Sequence, residues 1–502
     1  MTKKSPLAGR LTVAALLVAC CLVPVRAQAP GTSWTAVAER ITAKAMGPSP
    51  IAENLRRLTD EIGGRVSGSP EMRRAVAWGI KVFQQAGVDE VHTEKFPLPL
   101  GWSEGETRLE VLAPVPFPVR LVSVGWSPPT PAGGIEADVL DAGNGTEQDF
   151  ARLGGAANGK ILLIHSELLK TWNDLFAEYE RSPHVIDRAV KAGAPALLWM
   201  STRERLLLYR HQNTEYSLDK LPQAILARED AQRMVRFLTA GKGVRVRLVM
   251  PNRVTPGPVE EENVVAQILG NEKPNEVVIL GAHLDSWELG TGALDNGCDA
   301  ALVVDVARAI HAAGLRPRRT LRFILFGGEE QGLHGSWQYV RAHRAELDNV
   351  VAVAIFDSGI GRITGYSLGG RRDTEAGVRE VLKPLESWGS NDHTTGAEVG
   401  TDHLDFLLEG VPTLVADMEE ANYIANYHAA SDTYDKVDIR ELQLHTAYAA
   451  VTVYGIANRA ERLGPRLSRA EIESMIKETG LDKQLSPEDM ELFRRGVRGR
   501  QP

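Results

Sequence analysis

The sequence predicts an α/β protein: a mainly parallel, doubly wound sheet interrupted by an inserted, largely β unit. Three observations carry this expectation. Between residues 264 and 356, short runs rich in Val, Ile and Leu alternate with stretches of helical periodicity, as in a parallel sheet covered on both faces. From about 118 to 250 that alternation gives way to Pro and Gly clusters and short strands. Polar residues of ligand type then fall where the apolar runs stop, and ligands of such sheets sit outside the carboxyl ends of the strands.

Residues 1–29 are set aside first. Lys3, Lys4 and Arg10 flank an apolar run over 11–25 that is too short to span a bilayer, and Ala27-Gln28-Ala29 supplies a small-x-small cleavage pattern. This is a signal peptide, so export to the periplasm or the exterior is expected. Leu17-Val18-Ala19-Cys20 offers an alternative, a lipid anchor on Cys20, but the apolar Cys21-Leu22-Val23 behind it favours cleavage after Ala29. The leader takes two of the three cysteines and leaves Cys298, so no internal disulfide is expected. Past the leader no apolar run reaches the length of a membrane span. The 502 residues, 43% hydrophobic and 24% charged, suffice for two or three domains. A net charge of −8 with scattered Lys and Arg argues against a nucleic-acid surface.

Residues 33–46 and 51–62 read as short amphipathic helices. Ser69 as N-cap, Pro70 at the first helical position and Glu71 in the first turn begin the next helix. Met72, Val76, Ile80 and Phe83 line its buried face, and Gly87 ends it. Strands follow over 91–96 and 107–112, so 30–117 is taken as the N-terminal part of the main domain. Within the insert, 118–252, strands are expected over 161–165, 194–200 and 244–249, with a helix over 185–192. Val244, Val246 and Leu248 alternate there with Arg245 and Arg247, as on a half-exposed strand. The insert shows no cluster of ligand-type residues and reads as a lid or spacer. From 253 to 464 strands over 264–269, 277–282, 321–326, 350–356 and 413–416 alternate with helices over 297–314, 335–345 and 440–458. A helical tail, 465–502, opens on a capping box from Ser468 to Glu471.

The candidate site begins where the strand over 277–282 stops. Side chains two apart share a face of a strand, so His283 and Asp285 stand together, and a carboxylate there can take the second imidazole N–H and fix the tautomer. A lone H-x-D is otherwise a capped strand end. A Gly-rich loop then delivers Asp295. Phe326-Gly327-Gly328-Glu329-Glu330-Gln331-Gly332 sets two acids side by side at the next strand end. In isolation these are solvated charges, but neighbours leaving a strand diverge, so one can bind metal while the other faces a bound water. Asp357 ends the following strand, where an Asp also commonly forms a turn, and His428 lies in the loop before the helix over 440–458. Two histidines and several acids at successive strand ends are a crowd of like charge that metal ions would offset. Nitrogen and oxygen ligands without cysteine fit a co-catalytic zinc pair about 3.5–4 Å apart.

Five runs then carry a resemblance. Gly281-Ala282-His283-Leu284-Asp285-Ser286-Trp287, Ala293-Leu294-Asp295-Asn296-Gly297, Glu329-Glu330-Gln331-Gly332, Asp357-Ser358-Gly359 and Tyr427-His428 through Asp432-Thr433 resemble the zinc aminopeptidase and glutamate carboxypeptidase family, especially its carboxypeptidase Q-like branch. Gly64-Arg65-Val66-Ser67-Gly68-Ser69 and Gly400-Thr401-Asp402-His403 are similar to further landmarks of that family. The resemblance implies a zinc exopeptidase-like fold with a protease-associated insert and two Zn2+ ions. It implies that His283 and Asp357 bind one zinc, that Glu330 and His428 bind the other, and that Asp295 bridges them. Glu329 becomes the general base acting on a metal-bridging hydroxide, and Asp285 the partner of His283. Cys298 departs from the small residues usual at its position and reads as a buried small hydrophobe. The expected activity is hydrolysis of dipeptides or of terminal residues of short peptides, with homodimerisation left open. The alternatives are a single-zinc glutaminyl cyclase and a receptor-like member without catalysis.

Overall fold

The apolar run over 277–282 is the centre of a seven-stranded sheet. The computed structural model describes residues 33–213 and 217–501, and the expected leader with Cys20 lies outside them. In chain order, β1 (Glu90–Ser103) opens the main sheet. A second sheet holds β2 (Arg108–Ala113), β3 (Leu121–Ser123), β4 (Ile135–Asp141), β5 (Ile161–Ile164), β6 (Leu197–Met200), β7 (Gln223–Leu226) and β8 (Val244–Val249). The main sheet resumes with β9 (Arg253–Ile268), β10 (Lys273–His283), β11 (Arg319–Phe326), β12 (Val350–Ile355), β13 (Ile363–Ser367) and β14 (Thr413–Met418).

The main sheet runs β1-β9-β11-β10-β12-β14-β13. β10 pairs in parallel with β11 and β12, and β12 with β14, so the parallel part expected from the alternation is the central block that carries the site. Its flanks are antiparallel: β9 returns from the insert directly against β1, and β13 pairs antiparallel with β14, from which the helices Glu375–Leu382 and His403–Leu408 separate it in the chain. Residues two apart on β10 face the same way. Val278, Leu280 and Ala282 pack with the helices Trp34–Ala45, Pro70–Ala86, Cys298–Ala312 and Ile439–Asn458, whereas Val277 and Ile279 meet Tyr339, Val340 and Phe406 from the other face. The helix Pro70–Ala86 starts and stops as its sequence dictates: the Ser69 side chain accepts from Met72 N at 3.0 Å, and Gly87 takes a left-handed φ of 84°.

The second sheet takes up β2, ahead of the expected boundary at 118. Leu109 and Val111 turn inward and β2 pairs with β8, so the Pro-rich stretch after it is a turn within the unit. The unit carries more helix than expected. Glu147–Leu153, Trp172–Lys191 and Arg228–Thr239 accompany a sheet in which β4, β5, β6 and β7 are parallel neighbours. Trp172–Lys191 extends well upstream of the expected 185–192, because Pro183, which would normally end a helix, is accommodated inside it.

The tail is docked. Arg498 grips Asp405 at 2.8 Å and Asp489 at 2.6 Å in a buried cluster, which ties the C-terminal helices to the helix His403–Leu408. Among the described residues no helix is long and apolar enough to cross a membrane.

Candidate metal centre

His283 ends β10, and its parallel neighbours β11 and β12 stop beside it at Phe326 and Ile355, so the loops bearing Glu329, Glu330 and Asp357 open on one edge. His283 Nε2 lies 3.2 Å from Asp295 Oδ1 and 3.2 Å from Asp357 Oδ1. His428 Nε2 lies 2.9 Å from Glu330 Oε2 and 3.4 Å from Asp295 Oδ2. Asp295 thus faces both histidines, one with each carboxylate oxygen. Ligand atoms of His283, Asp295 and Glu330 lie within 4.8 Å of one another, and so do those of His283, Glu329 and Asp357. Glu329 thus groups with His283 and Asp357, whereas Glu330 groups with His283 and Asp295 and also reaches His428, so the two neighbouring acids part at the strand end.

Asp285 has a different partner from the one expected. The N–H of His283 Nδ1 is given to the main-chain oxygen of Asp285 at 3.0 Å, while the carboxylate Oδ1 stands 3.8 Å away. That carboxylate instead accepts the main-chain N–H groups of Glu329 at 3.2 Å and Glu330 at 3.3 Å and the Ser67 hydroxyl at 3.1 Å. β10 ends at His283, so Asp285 lies past the pleat that the alternation assumed, and its carbonyl rather than its carboxylate meets the ring.

Three residues to which the sequence reading gave no role brace the site. Buried Arg65 donates to four main-chain oxygens, those of Leu284 (2.7 Å), Gly63 (3.0 Å), Thr291 (2.8 Å) and Gly292 (2.9 Å), and so gathers both ends of the loop between His283 and Asp295 onto its own turn. Asp432 accepts from Leu294 N at 2.7 Å and Asp295 N at 3.2 Å. Both lie inside the runs that carried the resemblance, but spacing alone gave no sign of what they hold. The third, Arg210 of the inserted unit, accepts the N–H of His428 Nδ1 on its carbonyl at 3.1 Å, and nothing in the sequence pointed to it.

Burial shapes the electrostatics. It raises the carboxyls of Glu329 and Glu330 well above the usual range, and the neighbouring acids Asp357 and Asp295 add to the shift. Burial lowers His428 to about 4. It would lower His283 too, but Asp357 and Glu329 carry that imidazole well above its usual value. Burial also pushes Asp295 up, and His283 and His428 outweigh it to hold the carboxyl below its usual value. Asp402, buried beside the same acids, is raised well above its ordinary range by burial.

The residues fit a metal. Both imidazoles give Nδ1–H to a main-chain carbonyl, which leaves Nε2 as the electron-pair donor facing the carboxylates. Buried Glu330 Oε1 has no hydrogen-bond donor, an arrangement that a cation would resolve. The donor set is imidazole and carboxylate, suited to a borderline divalent ion such as zinc. Cys298 is not part of it: its buried Sγ hydrogen-bonds the Leu294 carbonyl at 3.4 Å, and burial raises the thiol well above its ordinary value.

Known proteins share this architecture. Residues 263–453 match Peptidase family M28. Carboxypeptidase Q of Mus musculus is 31% identical over 418 residues, 82% of this chain and 86% of that protein. Aminopeptidase YwaD of Bacillus subtilis is 24% identical over 473 residues, covering 90% of this chain and 94% of that one. The crystal structure of a peptidase M28 precursor from Shewanella amazonensis SB2B superposes with a TM-score of 0.78 at 28% identity, covering 87% of this chain and 99% of that chain. With the histidines and acids of the match gathered at one sheet edge, the chain belongs to peptidase family M28.

Proposed function

We propose that the protein is an exported di-zinc exopeptidase that hydrolyses dipeptides or the terminal residues of short peptides. The observation that carries this reading is the placement of Asp295 between His283 and His428, at 3.2 and 3.4 Å from different carboxylate oxygens. His283 and Asp357 would hold one zinc, Glu330 and His428 the other, with Asp295 shared. When bound, the pair supplies Lewis acidity at the scissile carbonyl and lowers the proton affinity of the attacking water.

Glu329 is the group assigned to move the proton. It stands among His283 and Asp357, and burial favours its proton-holding state, so a proton taken from water can be kept until the leaving amine accepts it. Asp285 is assigned a positioning role. By accepting the N–H groups of Glu329 and Glu330 it fixes the turn from which both acids project. The unit between β1 and β9 is read as a protease-associated insert. Export rests on the leader of residues 1–29.

Support for an exopeptidase comes from the carboxypeptidase and aminopeptidase names of the relatives, which disagree on the terminus attacked. A panel of free, N-acetylated and C-amidated dipeptides, assayed with zinc and with chelator, resolves this. Cleavage is expected to vanish with chelator and return with zinc. Loss on acetylation marks an aminopeptidase, and loss on amidation a carboxypeptidase. Glu329→Gln should keep its zinc and lose about 10²–10⁴-fold in turnover; retained turnover, or a zinc-loaded wild type that cleaves none of the panel, overturns the proposal.

A further inference from the structure

The inserted unit does more than cover the site. Its segment around Tyr209 lies antiparallel to the segment around Ala429: Arg210 N donates to the His428 carbonyl at 2.8 Å, Ala430 N donates to the Leu208 carbonyl at 3.0 Å, and Tyr209 and Ala429 form the bridge between them. Arg203, also of the inserted unit, donates to the Tyr427 carbonyl at 2.9 Å. The His428 ring completes the ladder by giving its Nδ1–H to the Arg210 carbonyl.

These bonds hold a residue that would not otherwise adopt its conformation. His428 has a φ of +55°, a left-handed backbone that side chains with a Cβ avoid, and neighbouring structure must impose it. The imposing segment is itself anchored through Arg210. That fully buried guanidinium donates to the Ser123 carbonyl, to Glu104 Oε2 at 2.6 Å and to Glu288 Oε1 at 2.5 Å. Glu104 follows β1 where the chain leaves the main sheet, and Glu288 lies in the loop three residues past Asp285. One side chain thus ties the inserted sheet, the exit from the main sheet and the loop beside the metal ligands.

We infer that the inserted unit is a structural component of the second metal site, with Arg210 as a positioning residue for His428. The inference rests on the proposed reading of His428 as a metal ligand. By fixing the tautomer, ring plane and backbone of His428, the segment around Arg210 aims Nε2 at Glu330 and Asp295, while His283 and Asp357 are held from β10 and β12 without it. The two zincs should therefore respond unequally when the anchor is loosened.

The test is zinc binding by the full chain, stripped by chelator and titrated with zinc alone, alongside the melting temperature of the metal-free protein. Wild type should take up two ions. His428→Ala should lose one, and if it still binds two at wild-type affinity the ligand reading fails, not the inference. Arg210→Gln should weaken one ion by about 10–100-fold and leave the other unchanged, and Arg210→Lys should recover part of the loss. If Arg210→Gln does not fold, Glu288→Gln, which keeps the Glu104 contact, and Arg203→Met decide by the same criterion with smaller effects. A general loss of rigidity would lower the metal-free melting temperature and weaken both ions together. Two ions bound at wild-type affinity in the folded variants, or equal weakening of both, overturns the inference.

Discussion

The carboxylate of Asp432 accepts the main-chain N–H of Asp295 at 3.2 Å, so a residue four positions beyond one candidate ligand, His428, supports the backbone of the acid placed between the two histidines. Its other oxygen takes Leu294 N at 2.7 Å. Asp432→Ala leaves two buried N–H groups unpaired, and each costs about 1–3 kcal/mol. The variant should melt earlier and bind zinc about 10–100-fold more weakly. Calorimetry and zinc titration check this, and Asp432→Asn, which keeps one acceptor, should fall between.

Arg65 spreads one guanidinium over four carbonyl oxygens, from its own turn and from the loop between His283 and Asp295. Arg65→Met is close in volume but satisfies none of them. It should destabilise the chain by about 3–5 kcal/mol, the range for breaking a buried polar network. Urea unfolding measures the loss, and a change below about 1 kcal/mol would show that water replaces the guanidinium.

Asp295→Ala removes the carboxylate that faces His283 with one oxygen and His428 with the other. The stripped variant should fold and fail to hold two zincs. Metal analysis after dialysis checks it, and a variant retaining both ions would take Asp295 out of the shared position.

His445, on the helix Ile439–Asn458, is buried with Nε2–H on the Gly361 carbonyl at 2.6 Å. Burial lowers its pKa from 6.5 to about 4, with the hydrogen bond offsetting part of the shift. Between those values the unfolded chain binds a proton that the native chain refuses. Its contribution is therefore complete above about pH 6.5 and lost as pH falls toward 4, by about 3 kcal/mol. His445→Gln should flatten the decline in unfolding free energy over that window by a similar amount. An unchanged slope between pH 4 and 7 in urea titrations would refute the assignment.

Much of this was legible in the chain. The strands of the central block have clear apolar runs, and a run that stops beside a histidine or an acid places that residue at a sheet edge by geometry alone. His283, Glu329, Glu330 and Asp357 could be located this way. Asp295 and His428 lie in loops without periodicity and were found through the motifs around them. The helical part of the insert was less visible, because Pro183 breaks the expected pattern inside Trp172–Lys191.

The sequence by itself determined the α/β class, the order of the main elements and which side chains could serve a metal, since apolar periodicity and residue chemistry are local properties. Only the tertiary structure decided which nitrogen of each histidine is free, that Asp285 braces the Glu329–Glu330 turn, and that Arg210 reaches across from the inserted sheet to His428. Those are hydrogen bonds between segments up to 218 residues apart, and their geometry is set by how two sheets meet.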